Sequence, residues 1–286
     1  MDSIQLEIET PDPDEFDAQI LAIISEAIAP DPTPAKDAAL AIDTAYKTSL
    51  AQNPNRTPGG SLLCFWDVIH SFAMQIPHEH PAQEKLVAVL KELNDVTSTQ
   101  IVLDKPLWNG LPYFSAEVPQ SWQHLSPEAG DDVKKQRFVN LQAYLARVFG
   151  LGLESLEMYA LWSLSDAVEG AIVPVRGSPD LVSAEPGDIV DLPFKTAAAA
   201  VWIIHAGAAL HGRDEEISGT DAGPLWKLSK KEAKQARRKY KGTKGLCAER
   251  WDLWKTQFAA IRDYEGADEE TRTIAGRAVE RMDKLN

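Results

Sequence analysis

Apolar residues recur at intervals of three and four over most of this 286-residue chain. That spacing places them on one face of an α-helix. Asp12, Pro13 and Glu15 predict a helix start, with Asp12 as the N-cap residue, proline at the first helical position and Glu15 three residues after the cap. The stripe that follows ends before Pro30 and comprises Phe16, Ile20, Ile23, Ile24 and Ala27.

The same pattern predicts helices further along the chain. One follows Thr33-Pro34, and a strongly apolar stripe over residues 62–76 predicts the next, which Pro77 ends. His80-Pro81 then reads as the N-cap and first position of another helix. Later stripes lie over residues 133–149, 153–168, 246–264 and 271–285.

The segment "TAAAAVWIIHAGAAL", residues 196–210, is apolar on nearly every side, which is typical of a helix at the centre of a fold. No run alternates apolar and polar residues as a half-buried strand would. We therefore predict a single all-α domain over residues 1–286: an irregular multi-helix fold with a central apolar helix. Within it we distinguish an acidic helical extension at 1–59 and a core at 60–286.

Two segments interrupt the helical pattern. Residues 172–195 are rich in proline, glycine and acidic side chains, and we predict a loop there that could act as a lid. Residues 105–131 are also irregular, but they contain four aromatic side chains, so we expect them to pack against the helical body.

Charge is unevenly spread along the chain, whose formal net charge is -14. This excess of negative charge opposes binding to nucleic acid or to an anionic membrane. Residues 1–35 hold nine acids and no Lys or Arg, whereas the basic segment, 227–245, holds nine basic residues and one acid. The basic segment could complement the acidic extension or aid solubility, direct nuclear import, or contact a polyanion. The import or polyanion contact would use Lys230, Lys231, Arg237, Arg238 and Lys239.

The cysteine content and the N-terminal sequence both indicate an intracellular protein. Cys64 and Cys247 are too few for a disulfide framework, so we expect buried free thiols in a reducing compartment. The acidic N-terminus lacks the basic start of a signal peptide. The longest apolar run, about fourteen residues, is shorter than the ~20 that a membrane span requires. We expect a soluble protein of the cytoplasm or nucleus.

Histidines near the third predicted helix raise the question of a metal or hydrolytic site. His78, Glu79 and His80 are consecutive at a helix corner, so their side chains diverge, and corner polarity explains them better than a metal does. His70 shares the face opposite the apolar stripe with Asp67 and Ser71, the composition of a hydrolytic triad. A solvated helix face has the same composition, and no GxSxG elbow occurs. We predict no metal site.

His205 is the strongest catalytic candidate because it interrupts the apolar helix. Burial would favour its neutral form, which could serve as a general base, although a hydrogen-bonded core histidine has the same pattern. Acid pairs such as Asp166 with Glu169 could meet a metal or do acid/base work, but surface solvation explains them without a further assumption. No glycine-rich phosphate loop, dinucleotide fingerprint or CxxC pair occurs, so no cofactor is implied.

Tryptophans in the predicted helices could line an aromatic pocket for a flat small molecule, or they could simply fill the core. The candidate binding residues are Trp66, Trp162, Trp202 and Trp254.

Several blocks resemble, in order, an uncharacterised fungal family of intracellular helical proteins, known only as a domain of unknown function. They are Phe65-Trp66 with "AMQIPHEHPAQEKLV", then "LWNGLPYF", "RFVNLQAYLARVFG", the apolar helix, "RWDLWKTQF" and "AGRAVERM". The resemblance covers the chain from about Gly60 onward. It implies a fungal source, one helical domain and an association with secondary-metabolite genes, but no catalytic residues.

These observations favour a binding or accessory protein whose partner is a small hydrophobic ligand or another protein. A second hypothesis is a cofactor-independent enzyme of secondary metabolism, such as a cyclase or isomerase. In it, His205 would act in a cavity lined by Trp66, Trp162 and Trp202 and covered by the 172–194 loop. A third is a nuclear or nucleic-acid-associated factor that uses the basic segment.

Overall fold

A computed structural model describes residues 4–124, 131–177, 179–220, 222–226 and 244–285, without the side chains of residues 120, 123 and 124. The described residues form ten α-helices and two short β-hairpins, so the predicted all-α class is confirmed. The chain divides into two compact units, Met1–Glu154 and Ser155–Asn286, which we describe separately as unit 1 and unit 2. The sequence pattern had predicted one domain without this division.

Unit 1 consists of six helices and one hairpin. The helices are α1 (Glu15–Ile28), α2 (Ala35–Gln52), α3 (Pro58–Gln75), α4 (Ala82–Asn94), α5 (Phe114–His124) and α6 (Asp132–Gly150), and the hairpin pairs β1 (Ile101–Val102) with β2 (Lys105–Pro106). Helix α3 packs against α5 and α6, and α2 packs against α1 and α4. The apolar stripe predicted for α3 forms much of the core of this unit.

Helix α1 begins two residues later than the sequence pattern predicts. Its N-cap is Asp14, whose side chain accepts from the backbone N–H of Asp17, while the Asp17 side chain accepts from that of Asp14. This reciprocal capping box needs a carboxylate at the third helical position, which Asp17 supplies for a cap at Asp14. The sequence pattern favours Asp12 as the cap because Pro13 and Glu15 follow it at the spacing of a helix start.

The irregular segment after α4 packs into the core of unit 1, as its aromatic content predicts. Trp108 and Phe114 are fully buried. The indole N–H of Trp108 donates to Asp43 Oδ1 at 2.9 Å, so its one polar atom has a partner. The indole N–H of Trp66 on α3 likewise donates to the carbonyl of Pro112 at 2.7 Å. Buried indoles with bonded N–H groups are typical of a well-satisfied core.

Unit 2 consists of four helices and one hairpin. The helices are α7 (Glu157–Val168), α8 (Leu192–Leu210), α9 (Ala248–Asp263) and α10 (Glu269–Asp283), and the hairpin pairs β3 (Ala171–Val173) with β4 (Leu181–Ser183). A 3₁₀ turn at Pro186–Asp188 follows β4. Helix α8, the apolar helix of the sequence analysis, packs against α7 and α10, while α9 packs against α10.

Helix α8 is long and apolar enough to cross a membrane by length and composition alone, but 56% of its most apolar stretch is buried inside the protein. Trp202 and Ile203 are completely buried. Burial of this kind is typical of a core helix, and it agrees with the prediction that this apolar helix is central.

The predicted loop at residues 172–195 contains secondary structure. It holds most of the β3–β4 hairpin, the 3₁₀ turn and the first turn of α8. The hairpin escaped prediction because each strand is only three residues long, too short for an alternating pattern to be recognisable. The basic segment lies almost wholly outside the described residues.

Candidate functional site

A cleft in unit 2 is the best candidate for a functional site. Its volume is about 520 Å³, and it opens to solvent. We call it the Trp162 cleft. It is lined by Trp162, Ser165, Asp166, Gly170, Ala171, Ile172, Asp188, Ile189, Val190, Lys195, Gly223 and Pro224.

Helix α7 forms one wall of the cleft. Trp162, Ser165 and Asp166 lie at i, i+3 and i+4 and therefore share one face of the helix. The Trp162 side chain is 36% exposed, and its indole N–H donates to the carbonyl of Gly219 at 3.0 Å. The ring of Tyr159 packs edge-on against it, with the ring centroids 5.4 Å apart. Trp162 is thus held in place while part of its surface stays open to the cleft.

Charged groups also line the cleft. The ammonium of Lys195, near the start of α8, lies 3.0 Å from Asp166 Oδ1. Asp188, the last residue of the 3₁₀ turn, accepts from the hydroxyl of Ser183 at 2.5 Å. The cleft therefore carries two carboxylates and one ammonium beside an indole ring.

Apolar side chains at the rim are unusually exposed. Val190 is 75% exposed and Ile172 61%, and the hairpin adds Leu181 at 61% and Val182 at 47%. With Trp162, these make five of the ten large apolar side chains that are exposed within the described ranges, and all five belong to residues 162–190. Concentrated exposed apolar surface is characteristic of binding sites.

A buried ion pair adjoins the cleft. Glu169, which follows α7, accepts from Arg250 Nε at 2.5 Å and from Arg250 Nη2 at 3.1 Å, and both side chains are fully buried. The indole N–H of Trp254 donates to the same carboxylate at 2.7 Å, as does the backbone N–H of Gly223 at 2.6 Å. The prediction that surface solvation explains Glu169 is therefore wrong, because the carboxylate lies in the core with a full set of donors.

Two glycines allow the chain to approach this ion pair closely. A Cβ atom at Gly223 would lie 2.4 Å from the Cβ of Glu169. Gly170 has φ +81°, and a Cβ there would lie 2.5 Å from the carbonyl oxygen of Ser183. Both glycines line the Trp162 cleft, and Gly223 packs directly on the buried Glu169, so part of the lining is backbone held by the ion-pair cluster.

The structure does not bring the four candidate tryptophans together in one pocket. Trp66 is completely buried in the core of unit 1. Trp202 and Trp254 are completely buried in unit 2, where Trp254 bonds Glu169. Of the four, Trp162 alone appears among the residues that line the described cleft.

His205 is half-buried on α8 and does not line the Trp162 cleft. A catalytic role for it stays a prediction, as does the enzyme hypothesis that depends on it.

His70 differs from the sequence-based interpretation. It is completely buried, so the prediction that it lies on a solvated face is wrong. Its Nε2 lies 3.2 Å from the carbonyl oxygen of Phe114, which can only accept, so Nε2 carries the proton. Burial lowers the pKa of His70 to about 4. The hydroxyl of Ser71 donates to Glu9 at 2.9 Å, so His70 and Ser71 do not form the relay of a hydrolytic triad.

The His-Glu-His corner has structural contacts. His80 Nδ1 accepts from the backbone N–H of Ala82 at 3.1 Å, at the start of α4. His78 Nδ1 lies 3.2 Å from the side-chain nitrogen of Gln136 on α6. Within the described ranges, no group of three or more His, Cys, Asp or Glu side chains is arranged to hold a metal ion.

The five basic candidates, Lys230, Lys231, Arg237, Arg238 and Lys239, lie outside the described residues. Two acids of the acidic extension have partners within unit 1. Glu9 forms an ion pair with Arg137 at 2.5 Å, and Asp14 forms one with Arg56 at 2.7 Å. These pairs supply counter-charge to the extension without the basic segment.

Comparison with known proteins places the chain in a group without an assigned role. The family model described as a protein of unknown function, DUF3632, matches residues 66–258. No curated protein and no solved structure matches the chain. The match agrees with the resemblance seen in the sequence, while a fungal source, a link to secondary metabolism and a cytoplasmic or nuclear location stay predictions.

Proposed function

The chain belongs to the DUF3632 family, whose function is unknown, and from the geometry of unit 2 we propose that this protein binds a small, largely apolar molecule in the Trp162 cleft. The observation that carries the proposal is the cleft itself, in which a fixed tryptophan and exposed aliphatic side chains surround a concave volume. A binding or accessory role is the function that this arrangement supports best.

The size of the cleft suits a small organic ligand. Ligand sites in proteins usually measure roughly 300–1,000 Å³, and about 520 Å³ lies well inside that range. Apolar walls with a few polar groups are the usual composition of such sites. Trp162, Ile172 and Val190 supply the apolar walls here, and each would lose solvent-exposed surface when a ligand enters.

The cleft is also pre-formed. Its lining residue Gly223 is bonded to the fully buried Glu169, and its tryptophan is fixed by the bond to Gly219. A site that is rigid before binding loses less conformational entropy when the ligand arrives. Lining groups fixed in this way favour recognition of a defined ligand over non-specific apolar adhesion.

Nile red, a neutral apolar dye whose fluorescence rises in apolar surroundings, tests the proposal. The full chain should enhance its fluorescence in a saturable titration. Ile172→Ser and Val190→Ser should each weaken binding severalfold, since each removes exposed apolar surface from the cleft. Val133→Ser is the matched control, because Val133 is 72% exposed but lies on α6 in unit 1.

Equal binding by Val190→Ser, Ile172→Ser and Val133→Ser would overturn the proposal, since the dye would then bind elsewhere. Urea unfolding of each variant shows whether a loss of binding reflects a loss of fold. All three positions are exposed, so the variants should unfold close to the wild-type midpoint.

A further inference from the structure

We propose that the ligand of the Trp162 cleft is an organic cation, an amine or quaternary ammonium attached to an apolar body. The inference rests on the proposed function and adds the chemical class of the ligand. It follows from the charges that line the cleft and from the tryptophan ring that lines it with them.

Among the described residues that line the cleft, the charge balance is negative. The ionisable side chains in this described part of the lining are Asp166, Asp188 and Lys195. Lys195 is already paired with Asp166 at 3.0 Å, so these two charges largely cancel. Within the described parts of the chain, Asp188 forms no ion pair, and its bond from the Ser183 hydroxyl leaves the negative charge uncompensated. Within the part of the lining that the structure describes, one carboxylate is thus available to a ligand.

An indole face beside a carboxylate is a recognised arrangement for binding cations. The ring quadrupole attracts an ammonium group, and tryptophan does so most strongly among the aromatic side chains. Trp162 donates its N–H to Gly219, so its polar edge is occupied while the ring remains partly exposed in the cleft. A cation between Trp162 and Asp188 would gain both interactions.

Both recognition groups are held before a ligand arrives. Ser183, at the end of β4, fixes the Asp188 carboxylate, and Gly219 together with Tyr159 fixes Trp162. The apolar rim formed by Ile172 and Val190 would cover the body of the ligand. An anion would instead meet the uncompensated Asp188 carboxylate, and a neutral molecule would lose the cation-specific gain.

Three probes that share one body test the ligand class. They are 4-phenylbutylammonium, the neutral 4-phenylbutanol and the anion 4-phenylbutyrate, each titrated at low ionic strength by calorimetry and by displacement of Nile red. We expect the ammonium to bind about fivefold more tightly than the alcohol, the gain of a partly exposed cation site, and the carboxylate to bind most weakly.

The variants separate charge from shape. Asp188→Asn keeps the size of the side chain and should abolish the ammonium's advantage over the alcohol, which is read as the ratio of the two affinities in the same variant. Asp37→Asn, which removes an exposed carboxylate of unit 1, is the matched control and should keep the advantage.

The possible outcomes distinguish the two proposals. If the three probes displace Nile red with equal affinity, or if the ammonium keeps its advantage in Asp188→Asn, the cation assignment fails and the cleft remains a binding site. If Val190→Ser and Ile172→Ser both bind Nile red as Val133→Ser does, the proposed function itself fails. Tightest binding by 4-phenylbutyrate would also overturn the cation assignment.

Discussion

Glu169 and Arg250 face each other across 81 residues of sequence in a two-point ion pair from which solvent is completely excluded. Glu169 directly follows α7, and Arg250 lies in the first turn of α9. Arg250 Nη1 also donates to the carbonyl of Gly245 at 2.6 Å, and the carboxylate of Glu169 accepts from Gly223. The ion pair therefore bonds two backbone positions, Gly223 and Gly245. Gly223 lies four residues before the basic segment, and Gly245 is its last residue.

Glu169→Gln should destabilise unit 2 strongly. The substitution keeps the shape of the side chain but leaves the guanidinium of Arg250 buried without a counter-charge, a change that typically costs about 3–5 kcal/mol. Urea unfolding followed by tryptophan fluorescence measures the loss. Asp263→Asn is the control, because its partner pair with Arg262 is exposed and should contribute little. A similar midpoint for the two variants would show that the buried pair does not stabilise the fold.

Gly245→Ala should destabilise unit 2 more than Gly212→Ala does. Both glycines have positive φ, +92° and +76°, so each substitution costs about 1 kcal/mol in backbone strain. A Cβ at Gly245 would also lie 2.0 Å from the carbonyl oxygen of Glu215, whereas at Gly212 nothing lies within 4 Å. The additional clash should add about 1–3 kcal/mol. Equal unfolding free energies in urea would contradict this difference.

The helices could be predicted because their cause is local. The stripe of α3 and the uniformly apolar α8 are visible in a single sequence, since burial on one face or on all faces repeats every 3.6 residues. Helix boundaries were less accurate, as at α1, because several side chains near Asp14 could act as the cap.

The Trp162 cleft could be predicted only in part. Trp162 was found through its aromatic character, but Asp188, Val190 and Lys195 come from segments that only the folded chain brings beside α7. The sequence pattern indicates a surface acid at Glu169. The neighbouring residues carry no sign that the carboxylate is buried, because its partner, Arg250, lies 81 residues away. Long-range pairing of this kind has no periodic signal in the sequence.

One cysteine should react in the native protein, and the other should not. Cys64 is exposed, contrary to the expectation of two buried thiols, while Cys247 is only 4% exposed. Partial desolvation raises the pKa of the Cys64 thiol, so its reaction with Ellman's reagent should be slow at neutral pH and accelerate towards alkaline pH. Native protein should release about one equivalent of thionitrobenzoate and unfolded protein about two. Cys64→Ser should abolish the native reaction, and a persistent native signal in that variant would contradict this assignment.

The buried His70 should make the stability of unit 1 depend on pH. Its pKa of about 4 in the folded state lies below the ordinary value of 6.5, because burial disfavours the charged form. The unfolded chain therefore binds a proton more readily than the folded chain does. The stabilisation is complete above pH 6.5, falls as the pH drops below that value, and stops falling below about pH 4.

The predicted loss between pH 7 and pH 5 is about 2 kcal/mol from His70 alone. Urea unfolding of the wild type and of His70→Gln at both pH values measures this loss of unfolding free energy. Glutamine does not titrate, so the loss between pH 7 and pH 5 should be about 2 kcal/mol smaller in His70→Gln than in the wild type. Tyr144→Phe is the matched control: Tyr144 packs on His70 with ring centroids 5.7 Å apart, so its replacement disturbs the same cluster without removing the imidazole. Tyr144→Phe should keep the wild-type pH dependence of stability. A weaker pH dependence in Tyr144→Phe, or an unchanged one in His70→Gln, would show that another group is responsible.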